Sequence, residues 1–173
     1  MIEYRRPRSD EAEAFAALHV QCWREAYVGF VPPELMSTFS TELRLPMWRA
    51  ITTHPERFVL AAYDEGKPVG FVISGSTDEK HIENQDGHLL AIYIASKYHR
   101  IGIGRELIAA AAADWFAKGG KSITLGVLAK NASARLFYEK QGARFVKTST
   151  YDWDGYKLDD AIYVFEDLAF LTP

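Results

Sequence analysis

The residues Tyr98 to Leu107 read YHRIGIGREL, with Gly102 and Gly104 two positions apart. They follow an apolar run and precede an alanine-rich segment, so they fall where a strand ends and a helix starts. The first turn of a helix carries unpaired N–H groups and the positive end of the dipole. Phosphate binds there where side chains are small enough to let it approach. The glycines supply that access, and Lys97, Arg100 and Arg105 add positive charge. A plain tight turn with two permissive glycines satisfies the same pattern. A Walker loop needs G-x-x-x-x-G-K-[ST], which is absent. A dinucleotide fingerprint needs a third small residue where Leu107 stands, and an acid after the next strand, where Ala129 and Lys130 follow Leu128. Nicotinamide binding is disfavoured on both counts.

A second chemical segment is NASARLFYEKQGARFV, from Asn131 to Val146. Asn131 is a good helix N-cap. Tyr138, taken alone, fits ordinary aromatic core packing. Cys22 is the only cysteine, which excludes an internal disulfide and a cysteine metal cluster. It reads as core, since nothing pairs it with a histidine as a nucleophile.

The elements that must position these residues follow from hydrophobic period. Residues 2–6 read as a strand. Asp10 precedes Glu13 at capping-box spacing and opens a helix along Phe15, Leu18, Cys22 and Tyr27. Pro32-Pro33 ends that unit. Residues 43–52 are helical, with Pro46 expected in the first turn. Residues 58–63 and 69–73 form a hairpin around Asp64 to Lys67. Residues 77–87 are polar and read as a loop. Residues 88–94 are a nearly apolar central strand. A helix over 104–118 stops at Gly119-Gly120. A strand over 122–128, a helix over 132–141 closed by Gly142, and strands over 144–150 and 161–165 complete the chain. The order is mixed α/β, with one strand, glycine turn, helix, strand crossover in the middle.

The whole chain has 173 residues, 48% of them hydrophobic and 25% charged, with a formal net charge of −3. That fits one domain with a real core. The mild acidity argues against a nucleic-acid partner. The first eight residues carry three arginines and no apolar segment follows, unlike a signal peptide, and no run approaches a membrane span. A cytoplasmic, reducing compartment without membrane attachment is the expectation.

The strings LLAIYIASKYHRIGIGRELI and ITLGVLAKNASARLFYEKQGARF together resemble the GNAT superfamily of acyl-coenzyme A-dependent N-acyltransferases. The spacing from the glycines to Asn131 and on to Leu-Phe-Tyr-Glu-Lys-x-Gly is the family's. CWREAYVGFVP and GYKLDDAIYVFEDL resemble a bacterial subgroup and extend the likeness over nearly the whole chain.

The resemblance implies one α/β GNAT domain over residues 1–173. Its sheet would be mixed and mostly antiparallel, flanked by helices, with two central parallel strands that splay apart. It implies acetyl-CoA as cosubstrate and no metal. Ile92 and Ile94 would pair with the pantetheine arm through backbone groups. The pyrophosphate would lie on the backbone of His99, Arg100, Ile101, Gly102, Ile103, Gly104 and Arg105, with Asn131 beyond the second strand. His99 departs from the family's usual Gln or Arg at that place. A backbone N–H near Ile94 would stabilise the oxyanion.

The resemblance also implies chemistry. An amine must arrive neutral to attack a thioester, and a lysine-type amine has a reference pKa of about 10.4. Tyr138 matches the family's general acid toward the coenzyme A sulfur. The place where relatives often carry a Glu base holds His88, which is read as sharing one strand face with Leu90, Ile92 and Ile94. A strand-end histidine bonded to solvent fits the same position. Asp86, Glu83, Glu25 and a water chain are further base candidates. Trp23, Tyr27 and Phe30 are candidate walls for a small-molecule or peptide amine acceptor, although Trp23 also fits core packing. A coenzyme A-binding sensor without turnover, or a transferase to hydroxyls or of longer acyl groups, would carry the same motifs. A homodimer is the expected assembly on general grounds.

Overall fold

The computed structural model describes residues 1–76, 87–153, 155–168 and 171. In chain order the elements are β1 (Ile2–Arg5), α1 (Ala12–Tyr27), α2 (Pro33–Thr38), α3 (Thr41–Ile51), β2 (Phe58–Asp64), β3 (Lys67–Gly75), β4 (Gly87–Ile94), α4 (Ile103–Ala117), β5 (Ile123–Leu128), α5 (Ala132–Lys140), β6 (Arg144–Trp153) and β7 (Tyr156–Phe165). The strands form one seven-stranded sheet in the order β1-β2-β3-β4-β5-β7-β6. Every neighbouring pair is antiparallel except β4 and β5. The expected element order and mixed α/β architecture are therefore present.

Two cores hold helices to opposite faces. Leu107, Ile108, Ala111 and Ala112 of α4 are buried against Val72, Leu89, Leu125 and Tyr163. Phe15, Leu18 and Cys22 of α1 pack with Trp48 of α3 against Tyr63, Phe71 and Ile73. Fully burying a side chain of this size contributes about 1.5–3 kcal/mol, so these stripes fix which face each helix presents.

Four local expectations are corrected. Helix α1 starts at Ala12, and Glu11 rather than Glu13 closes its entry by accepting from the Arg8 N–H at 2.8 Å. Glu11 is also the partner of Arg5 and Tyr63, which makes it a hub rather than a simple cap. Pro33 opens a helix instead of only ending one, since a proline at the first helical position forfeits no bond. Pro46 is the sixth residue of α3, beyond its first turn; Ser40 supplies the cap, accepting from Leu43 N–H at 3.4 Å. The last hairpin is longer than its apolar core, because β6 and β7 pair all the way to Trp153↔Tyr156. Their exposed faces carry Asp152, Lys157 and Asp159, which masks the strand period.

Candidate active site

The parallel pair β4–β5 is paired only at Gly87↔Ile123 and His88↔Thr124. Beyond those two steps the strands part, which opens a crevice toward their carboxyl ends. Residues facing each other in an antiparallel ladder alternately turn both backbone groups toward and away from the partner. Ala95 N–H donates to Val69 C=O at 2.9 Å, so by register Tyr93 and Ala91 also bond to β3. Ile92 and Ile94 therefore turn their N–H and C=O toward the crevice. The ring of His99 lies 2.8 Å from the Ile94 carbonyl oxygen through Nε2, on that same side.

The crevice leads to the glycine turn. Arg100 and Gly102 both have positive φ, 64° and 96°. Two left-handed residues so close together curl the backbone ahead of α4 and let its first N–H groups converge. Gly102 is the N-cap and no side chain caps this helix. Lys97, Arg100, Ile101 and Arg105 are exposed around the turn, whereas Ile103 is core. The expectation that Gly104 opens the turn to a ligand is corrected. Gly104 is buried, and a Cβ there would lie 2.8 Å from the Phe137 ring and 3.2 Å from Ile94 Cδ1. It lets α4 pack closely on α5 and β4.

Two expected results follow. Gly104→Val lowers unfolding stability by about 1–3 kcal/mol through overpacking, read by thermal or urea unfolding. Gly102→Ala meets no atom within 4 Å and is strained only through its φ, by roughly 1–2 kcal/mol. Calorimetry is expected to show coenzyme A affinity falling at least tenfold in Gly102→Ala while circular dichroism stays native. Unchanged affinity removes the phosphate role of the turn.

Tyr138 projects from α5 into the α4-side core and is 8% exposed. Burial, and then the nearby Tyr27 phenol, hold its pKa well above the ordinary value. Tyr138 is thus a neutral hydroxyl donor at physiological pH. Tyr27 and Tyr93 place their hydroxyls 3.3 Å apart, and burial raises both pKa values too. Asn131 caps α5, with Oδ1 accepting from Ala134 N–H at 3.1 Å.

The opposite, α1-facing side carries a group that the sequence reading passed over. Asp160 of β7 stands opposite Leu128, and its Oδ2 would be 3.1 Å from a Cβ on Gly126. The missing side chain lets the carboxylate lie over β5, beside the open section of the crevice. Burial first, and then Asp159, push its pKa up to about 6. Its charge reaches both Tyr27 and Tyr151. The lone signal for it was its place in the LDDAIY string.

His88 does not share a face with Ile92 and Ile94 as expected. The β3–β4 register shifts between Ile73↔Ala91 and Ser74↔Leu89, which makes Leu90 an extra, bulged residue. Leu89, Ile92 and Ile94 pack on the α4 side. Leu90 joins Ala91 and Tyr93 on the α1 side. His88 sits where the strands are still paired, its Nδ1 2.9 Å from Thr124 Oγ1. Glu25 accepts from the Ser96 N–H at 2.9 Å and braces the end of β4. Asp86 and Glu83 lie outside the described residues. Burial pushes the Cys22 thiol up to about 12, consistent with core.

A cavity of about 360 Å³ opens on the α1 side, lined among others by His19, Trp23, Arg44, Arg57, Leu90 and Tyr93. Trp23 reaches its edge but is only 2% exposed and stacks on Phe39 at 4.3 Å, so it is foremost a core residue. Phe30 borders a different groove, with Lys130 and Lys157. Among the described residues no helix is long and apolar enough to cross a membrane.

The parallel pair that parts after two steps and the uncapped glycine turn at the next helix are the arrangement the resemblance implies. The sequence model of the acetyltransferase (GNAT) family matches residues 13–143, and the chain belongs to that family. It is 26% identical over 172 residues to the uncharacterized N-acetyltransferase YuaI of Bacillus subtilis, covering 99% of this chain and 96% of that protein. It is 29% identical over 160 residues to the uncharacterized N-acetyltransferase Rv2669 of Mycobacterium tuberculosis, covering 90% and 97%. Among solved structures, the PaiA N-acetyltransferase of Thermoplasma acidophilum in complex with coenzyme A shares the fold at TM-score 0.69 and 22% identity, covering 93% of this chain and 98% of that one. The yncA protein of Salmonella typhimurium with its cofactor acetyl-CoA gives TM-score 0.69 at 16% identity, covering 95% and 93%.

Proposed function

We propose that the protein transfers the acetyl group of acetyl-CoA to a primary amine by direct attack in a ternary complex. The observation that carries this is the crevice itself. Backbone groups of Ile92 and Ile94 that turn away from β3 line it, a neutral phenol stands on its α4 side, and a carboxylate of raised pKa stands on its α1 side. The coenzyme A and acetyl-CoA complexes of the structural neighbours support the same use of the fold.

Bound in the crevice, acetyl-CoA supplies an acyl thioester that an amine can attack. Ile92 and Ile94 hold the pantetheine arm through backbone bonds, and His99 gives up the Ile94 carbonyl to it. The turn from His99 through Arg105 holds the pyrophosphate by N–H groups, with Asn131 beside the second strand. A backbone N–H near the end of β4 receives the developing oxyanion. Asp160, ionised above about pH 6, takes the proton that the ammonium must lose. His88 is less well placed for this, being bonded to Thr124 at the closed end. Tyr138 donates its proton to the departing sulfur and recovers one from solvent. Tyr27 lies between the two sides and forms one wall of the acceptor's path.

A thiol-release assay with acetyl-CoA against panels of small amines and peptides tests the activity. Acceptor-dependent release with a stoichiometric acetylated product supports transfer. Tight coenzyme A binding with no acceptor-dependent release across the panels would instead identify a coenzyme A-binding protein without turnover.

A further inference from the structure

We infer that the acceptor is a small amine that also carries an anionic group, a carboxylate or phosphate, held by Arg44 and Arg57 in the α1-side cavity. This rests on the transferase reading above and names its acceptor class.

The cavity is lined by both arginines, and no Asp or Glu is among its described lining residues. Arg44 is half-buried, with its guanidinium carbon over the Phe39 ring at 3.9 Å from the centroid. Its Nε is buried with no hydrogen-bond partner among the described residues. A guanidinium has five N–H donors and cannot shed its charge. Burial lowers the Arg44 pKa, against an opposing effect of Tyr93. Arg57 donates to the Ser76 carbonyl at 2.6 Å, which aims the side chain but does not neutralise it. His19 lines the same cavity, is 6% exposed, and has a buried Nδ1 with no partner among the described residues. Burial, and then Arg44, push its pKa down to about 4, so it is neutral near pH 7.

A half-buried charge with a buried, unpartnered donor is costly, and a bound anion offsets that cost with charge-assisted hydrogen bonds. The cavity reaches Ala91 and Tyr93 of β4, beside the crevice. An acceptor there presents its amine toward the thioester and its anion toward the arginines. Asp160 near the crevice and the arginines of the cavity then match the two ends of a zwitterion. Polyamines and aminoglycosides place a second cation against two arginines instead. The volume, about 360 Å³, is at the lower end of the roughly 300–1,000 Å³ of small-molecule sites.

The test uses the full chain saturated with coenzyme A and matched ω-amino acids, ω-amino amides, diamines and aminoalkyl phosphates of equal chain length. Binding is measured by calorimetry, and acetyl transfer by thiol release. The carboxylate or the phosphate is expected to bind at least tenfold tighter than the amide and the diamine at one chain length or more; whichever series does so identifies the anion. Arg44→Gln and Arg57→Gln are expected to abolish the preference with coenzyme A affinity and circular dichroism unchanged, and Arg44→Lys to restore part of it. Amides or diamines binding as well as the anions overturns the inference. So does a preference that survives both substitutions, or the absence of any preference. Transfer to diamines without an anion preference leaves the transferase standing and removes only the anion site. An arginine-dependent anion preference without transfer does the reverse.

Discussion

Asp160→Asn is expected to lower kcat/KM on the order of 10²-fold at pH 7–8, within the about 10²–10⁴ that a general base contributes. The amide keeps the shape of the carboxylate over Gly126 and removes its basicity. The parent should lose activity as pH falls through about 6, the value to which burial raises this group. That limb should vanish in the variant. Stability supplies an independent check with a definite sign. A carboxyl whose folded-state pKa is raised from 3.8 to about 6 favours folding while protonated. That contribution is complete below the unfolded value and is lost as pH rises through about 6. Asp160→Asn should therefore gain stability relative to the parent as pH rises from 4 to 7, even as it loses turnover. His88→Gln is expected to cost less than tenfold and to keep the limb. If instead His88→Gln removes the limb and Asp160→Asn keeps it, the base is His88.

Tyr138→Phe is expected to lower kcat on the order of 10²-fold, with coenzyme A affinity and melting temperature close to the parent's. The ring stays in the core beside Phe137 and Tyr163, and only the hydroxyl is removed. The parent hydroxyl stays protonated across the physiological range because burial and Tyr27 both disfavour the phenolate. The deficit should therefore be flat with pH, unlike that of Asp160→Asn. A coenzyme A thiol resembles cysteine in reference pKa, about 8.5, and a better leaving thiolate narrows the deficit. The measurement is steady-state kinetics beside calorimetry on the same preparations. Parental turnover in Tyr138→Phe makes this tyrosine a packing residue and ends its general-acid role.

The groups given a part in this chemistry show how far spacing alone reaches. Asn131, Tyr138 and the glycine turn are local: a few residues of one helix or one turn carry the pattern, and the structure forms those elements where spacing puts them. Asp160 is not local. Its significance comes from Gly126, which lies in another strand and leaves room for the carboxylate, and from Tyr27, which lies in the first helix. Nothing within the LDDAIY string distinguishes it from its neighbour Asp159, which faces Thr150 on the exposed hairpin.

His88 and Gly104 mark the same boundary from the other side. Period-two alternation placed His88 with Ile92 and Ile94, but one bulged residue, Leu90, exchanges faces halfway along β4, and a bulge is set by the pairing with β3. Gly104 belongs to a motif that suggests ligand access, yet the neighbour that needs its missing side chain is Phe137, 33 positions away in sequence.

The sequence by itself determined the order of elements, the glycine turn at the start of α4, the capped helix that presents Tyr138 and the family to which they belong. These rest on periodicity, capping and turn chemistry within short segments. The tertiary structure alone decided where β4 and β5 part, which face His88 takes, that Asp160 lies over Gly126, and that Arg44 and Arg57 share a cavity without an acid among its described lining residues. Those depend on pairings between distant strands and helices, and burial, charge and pKa are properties of that assembled surrounding rather than of any residue's neighbours in the chain.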